Sequence, residues 1–220
     1  YPSLFFYINA FAYVPYYQIG RIAMSFDTPD DILPPMSLTM GVTKAQTPSA
    51  VLLGRVVTVL FGVGVVGLTY WGGKKLTERA SVGALASLMV ALSPTNVLHS
   101  RFVAPDTFVA FFALASFLAS VLIYQQGKTW QYILAGACVG LTASSKYNGC
   151  LVIVVLIASH FLRHGKAGLR KPVLVLAIAL CGIVFLAATP FAILDFPEFI
   201  SDLRYEAQHY ATGHAGLEGD

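Results

Sequence analysis

The stretch AVLLGRVVTVLFGVGVVGLTYWGGKK, residues 50–75, decides the fold. Through residue 72 its only charge is Arg55, and it stops on Lys74 and Lys75. A helix that crosses a bilayer needs about 20 mostly apolar residues. The rest of the chain repeats this pattern. Of its 220 residues 56% are hydrophobic and only 11% charged, against about 25% charged in an ordinary soluble domain. Mean hydropathy is +0.69. These values exclude a soluble globular domain and predict an all-α, polytopic transmembrane helical bundle. Nucleic acid is excluded as a partner, because the basic residues are scattered and form no patch.

Six spans are expected, at about 50–72, 80–98, 105–124, 130–146, 148–163 and 172–194. They make up a module over 49–195. Residues 1–48 read as interfacial helices and a loop, and 196–220 as the start of a further loop. The segment YPSLFFYINAFAYVPYYQIG, residues 1–20, is aromatic and interrupted by Pro2 and Pro15. Tyr and Trp favour the membrane–water interface, so this segment is expected to lie along a surface rather than cross. The chain opens without Met and closes on GLEGD, which suggests a piece of a longer protein.

Loop charge orients the spans. GGKKLTERA, QQGKTW and RHGKAGLRKP hold Lys74, Lys75, Arg79, Lys128, Arg163, Lys166, Arg170 and Lys171, eight of the 14 basic residues, with one acid, Glu78. The positive-inside rule places these loops in the cytoplasm. Residues 1–48 and 195–220 then fall on the outer face with the other ten acids. The same count brings LHSRFVAPDTFVAFF, residues 98–112, to an outer turn, with Arg55 and Lys146 at outer helix ends. Each cation alone could extend its head group to lipid phosphates. Arg55, Arg101 and Lys146 in one layer with Asp106 suggest instead an outward cavity for an anion, since intramembrane charges are costly and mark functional paths.

Other signals are weaker. Cys138, Cys150 and Cys181 lie in apolar runs and show neither disulfide nor metal spacing. GVGVVG, residues 62–67, matches Gly-x-Gly-x-x-Gly, but inside an apolar span this is small-residue helix packing and not a nucleotide loop. Asp27, Asp30 and Asp31 suit a loop. Glu198, Asp202, Glu206 and His209 recur at helical spacing on an amphipathic surface helix. Glu206, His209 and nearby His214 supply carboxylate and imidazole ligands suited to a divalent metal, the one cofactor expected.

In combination these stretches resemble the membrane glycosyltransferases of the C-type fold, and among them the protein O-mannosyltransferase and aminoarabinose transferase family. The resemblance rests on YPSLFFYINAF, RVVTVLFG, ALSPTNVLHSRFVAPDTFVAFFALA and AGACVGLTASSKYNGCLV, and covers roughly residues 1–20 and 50–195. It implies transfer of a hexosyl or pentosyl group from a polyprenyl-phosphate sugar to a protein, lipid or glycan acceptor at the outer face. The membrane would be the plasma or inner membrane of a bacterium, or the endoplasmic reticulum of a eukaryote. It further implies that Arg101, Lys146 and Arg55 bind the donor phosphate. Asp106 would orient a cation or contact the acceptor, and the general base is expected upstream of Tyr1. A secondary transporter with an outward-facing anion site is the alternative from the residues alone, and a structural subunit is a third.

The orientation is testable. A single cysteine placed at Gly165 should resist labelling from outside intact cells; labelling there would overturn the topology.

Overall fold

The computed structural model describes residues 2–28 and 48–212, with side chains described at 2–28 and 51–208. All regular structure among these residues is helical. The helices are α1 (Leu4–Ile22), α2 (Pro48–Thr77), α3 (Ala80–Ala91), α4 (Pro94–Ser100), α5 (Asp106–Gln125), α6 (Thr129–Ser145), α7 (Ile153–His164), α8 (Pro172–Ala188), α9 (Phe191–Leu194) and α10 (Phe196–Thr212). Three-residue-per-turn segments, Tyr147–Val152 and Gly165–Arg170, flank α7 and extend it into one continuous rod. The all-helical expectation holds for a physical reason. Lipid offers no hydrogen bonds to the backbone, so each crossing segment must satisfy its own N–H and C=O groups.

Three helical segments are long and apolar enough to cross a membrane: Val51–Thr77, Asp106–Gln125 and Tyr147–Arg170. A fourth crossing arises if α3 and α4 are one broken span, bent by 59°. The bend falls where Pro94 opens α4. Proline is tolerated in a first helical turn and cannot continue the helix before it. The stretch expected as a single span at 80–98 is therefore two helices. Helix α8 is apolar but shorter. Helix α1 runs through Pro15 without interruption, and at 19 residues it is not among the candidate spans.

The chain divides into two compact units, Phe5–Leu118 and Tyr1–Leu4 with Ala119–Asp220. In the first, α2 and α3 form a hairpin that closes on small residues. A Cβ at Gly73 would meet the Gly83 backbone at 2.9 Å. Farther along α2, Gly62 faces Ser100 and Gly64 faces Phe111, whereas Gly67 has open space beside it. Two of the three glycines in GVGVVG thus admit a neighbouring helix, as small residues do in membranes. Phe61 stacks on Phe108 at 4.1 Å between centroids, and Phe5 of α1 meets Phe108 edge-on at 5.3 Å. The Tyr13 hydroxyl stands 2.7 Å from where a Gly54 Cβ would be. Burial against this surface pushes the Tyr13 phenol above its ordinary pKa.

In the second unit α6 and α8 run parallel. Gly136 packs on the Ala177 carbonyl, Gly140 on the Cys181 carbonyl, and Ser144 donates to the Phe185 carbonyl at 3.3 Å. Each pair is offset by the same 41 residues, so the helices stay in register turn after turn. Around this seam a core forms from Ala119, Ile123, Tyr132, Ala135, Val139, Leu156 and Ala177. Within it His160 bridges α6 and α7. Its Nε2 lies 3.1 Å from the Gly168 carbonyl and its Nδ1 2.7 Å from the Tyr132 hydroxyl. A carbonyl only accepts, so Nε2 carries the proton and the Tyr132 hydroxyl donates to Nδ1. Arg163 donates to the Tyr124 carbonyl at 2.8 Å and ties the end of α7 to the end of α5.

Gly136→Val should lower unfolding stability by about 1–3 kcal/mol through overpacking. Gly67→Ala should change it by less than about 0.5 kcal/mol. Thermal unfolding in detergent checks both, and equal effects would contradict the α6–α8 seam.

Candidate functional site

The expected site residues fall in both units. Arg55, Arg101 and Asp106 belong to Phe5–Leu118, and Lys146 belongs to the other unit. In the first unit Arg55 follows Gly54, which faces Val103. This contact draws the start of α2 to the 101–105 turn. Arg101 is the C-cap of α4 and is exposed. Asp106 opens α5, where a carboxylate complements the positive end of the helix dipole. Its Oδ2 lies 3.7 Å from His99 Nδ1, and both side chains are part-exposed. Asp106, expected to orient a cation or contact the acceptor, thus has His99 beside it.

Lys146 ends α6 in extended conformation, and its carbonyl accepts from Gly149 N–H at 2.8 Å. Gly149 folds back against Thr142 so closely that a Cβ would stand 2.8 Å from the Thr142 carbonyl oxygen. The chain thereby reverses within a few residues, with Tyr147 directly after Lys146. Of the expected metal ligands, His214 lies outside the described residues, as do Asp30 and Asp31, and the His209 side chain is likewise outside them. Among the described residues no three His, Cys, Asp or Glu side chains cluster as metal ligands.

A cleft that the sequence did not reveal lies in the second unit, at the end where α6 and α8 finish. It has a volume of about 250 Å³ and is bordered by Ser3, Tyr147, Thr189, Asp195, Glu198 and Asp202. Phe191 and Phe199 add apolar wall, and the Phe199 ring meets Tyr147 edge-on at 5.8 Å. Asp195 stands just ahead of α10, and its carbonyl accepts from Phe199 N–H at 3.0 Å, so it is the N-cap of that helix. Glu198 is then at the third helical position, and Asp-x-x-Glu is the spacing of a capping box. Negative charge at a helix start complements the helix dipole, which accounts for both acids there.

Thr189 distinguishes this cleft from a solvated acidic surface. It is 2% exposed, and its hydroxyl has no hydrogen-bond partner. Some buried hydroxyls return to the carbonyl four residues back, Thr58 to Gly54, Thr142 to Cys138 and Ser145 to Leu141, whereas those of Ser100, Thr107 and Ser120 are orphaned like that of Thr189 but do not border the cleft. Thr189 cannot make that return. The Phe185 carbonyl already accepts from Thr189 N–H at 2.8 Å and from Ser144 Oγ at 3.3 Å. A carbonyl has two lone pairs. The Thr189 carbonyl is itself held, accepting from Ala192 N–H at 3.0 Å. A buried polar group without a partner costs about 1–3 kcal/mol. Sequence signals for the cleft existed: the DFPE capping spacing, and Glu198 and Asp202 four apart. Both read equally well as surface-helix features, and nothing local marks Thr189.

The fold defines an integral-membrane helical protein with polar groups gathered at helix ends. The profile of the dolichyl-phosphate-mannose-protein mannosyltransferase family matches residues 35–202. The chain belongs to that family, the membrane glycosyltransferases that resemble protein mannosyltransferases. No curated protein and no solved structure matches the chain.

Thr189→Val keeps the side-chain shape and removes the orphan hydroxyl. It should leave thermal stability in detergent unchanged or raise it, by about 1 kcal/mol. A loss of more than about 1 kcal/mol would show that the hydroxyl is partnered.

Proposed function

We propose that this chain forms part of an enzyme that transfers a mannose-like sugar from a polyprenyl-phosphate carrier to a protein hydroxyl at the extracytoplasmic face. The family match over residues 35–202 carries this reading. In such a transfer the bond between the sugar C1 and the phosphate oxygen breaks. A bond forms from C1 to the acceptor oxygen, the acceptor's proton passes to a carboxylate, and the polyprenyl phosphate leaves with its negative charge.

Stabilising that leaving group is the work proposed for Arg101 and Lys146, with Arg55 in support. Guanidinium offers phosphate a planar pair of donors, and ammonium offers a compact point charge. Donors aimed at developing charge are commonly the largest single contribution to rate. Asp106 with His99 would contact the acceptor. The charge pattern of the second unit supports the orientation. Arg163 lies in the last turn of α7, Lys166, Arg170 and Lys171 follow it, and Lys128 stands just before α6, whereas Asp195, Glu198 and Asp202 border the cleft at the opposite end of α6 and α8. By the positive-inside rule the acid-lined end faces out.

One observation favours the transporter reading: the broken α3–α4 pair, since broken helices build substrate sites in transporters. Pro94 accounts for the break locally, and the family match outweighs it.

A charge-assisted contact to a buried phosphate contributes about 1.5–3 kcal/mol. Lost in the transition state alone, it slows transfer by about 10- to 150-fold. Arg101→Ala and Lys146→Ala in the full-length protein, assayed with a polyprenyl-phosphate mannose donor, should each show a loss of this size. Folded variants with normal rates would refute the assignment.

A further inference from the structure

We infer that the cleft between Tyr147, Thr189 and the first turns of α10 receives a basic side chain, lysine or arginine, of the polypeptide acceptor. The inference rests on the proposed transfer to protein and adds a preference about the acceptor's sequence. Three carboxylates, Asp195, Glu198 and Asp202, border a space of about 250 Å³, and no Lys or Arg is among the described residues that line it. An anion such as the donor phosphate would be repelled there.

The other lining groups narrow the ligand. Thr189 adds a buried hydroxyl without a partner, a position that bonding within the fold leaves open. Carboxylates accept hydrogen bonds and do not donate, while ammonium and guanidinium donate and do not accept. A sugar, whose hydroxyls do both, would find few donors in this wall. Tyr147 and Phe199 supply ring surface of the kind cations favour. The volume is just below the usual range for small-molecule pockets, about 300–1,000 Å³, and suits one long side chain rather than a glycan.

The test uses the full-length protein in detergent and three fluorescent peptides that differ only beside an acceptor threonine: lysine, glutamine or glutamate. Anisotropy should show the lysine peptide binding at least tenfold tighter than the glutamate peptide. Raising the salt should shrink that gap. Glu198→Gln, at an exposed position that should not disturb folding, should reduce the preference at least threefold, and Thr189→Val should weaken lysine-peptide binding. Equal binding of the three peptides, or a preference that survives both variants, would overturn the inference. Transfer is measured in parallel. Charge-selective binding without transfer to any peptide would support the cleft and count against the proposed reaction. Transfer and binding that are both indifferent to the flanking charge would do the opposite.

Discussion

The parallel approach of α6 and α8 organises the second unit. In lipid there is no hydrophobic drive between helices, because the tails are as apolar as leucine. Association then depends on how closely two backbones can come. Gly136 and Gly140 remove the side chains that would hold α8 away, and the Ala177 and Cys181 carbonyls occupy the space. Once these helices run parallel in register, the rod at Tyr147–Arg170 must return between their ends. Lys146 and Thr189, which follow the two helices, thereby reach the same end.

That constraint also explains the distribution of polar groups. The basic loop residues Lys128 and Lys171 directly precede the starts of α6 and α8, and the acids Asp195, Glu198 and Asp202 follow the finish of α8. In between, buried hydroxyls such as Thr142 and Ser145 are returned to carbonyls of their own helix. His160 and Tyr132 satisfy each other with help from the Gly168 carbonyl. Thr189, like Ser100, Thr107 and Ser120, departs from this pattern; it sits where a helix ends, and the Phe185 carbonyl four residues back is already doubly used. Orphaned polar groups in native structures call for an explanation, and this one borders an acid-lined cleft beside the turn that carries Lys146. The other buried orphans, in Asn9, Ser100, Thr107 and Ser120, do not border it.

Much was legible without coordinates. The helical membrane class follows from composition and run length, because continuous apolar runs of about 20 residues satisfy their backbone in lipid as helices, whereas barrel strands alternate apolar and polar residues. The reading of GVGVVG as packing holds at Gly62 and Gly64, which face Ser100 and Phe111. The family was visible in the order of several weak motifs, and the profile match over 35–202 agrees. Less legible was the stretch at 80–98. Hydropathy averages over a window, so it reads through the Leu92–Ser93 break that Pro94 imposes. The GACVG pair at Gly136 and Gly140 matches the small-residue spacing as well as GVGVVG does. Its partner, however, lies 41 residues away.

The amino-acid sequence by itself determined that the protein is an all-helical membrane glycosyltransferase of this family, and which loops carry the positive charge. Those properties depend on local composition and short-range spacing. Tertiary structure decided that Asp106 faces His99, that α6 and α8 run parallel, and that Tyr147 and Thr189 border one cleft with Asp195, Glu198 and Asp202. Each of these depends on which groups are left unsatisfied after distant helices pack. The Thr189 hydroxyl shows the reason most plainly. Its state is set by Ser144, 45 positions earlier in the chain, which takes the second lone pair of the Phe185 carbonyl.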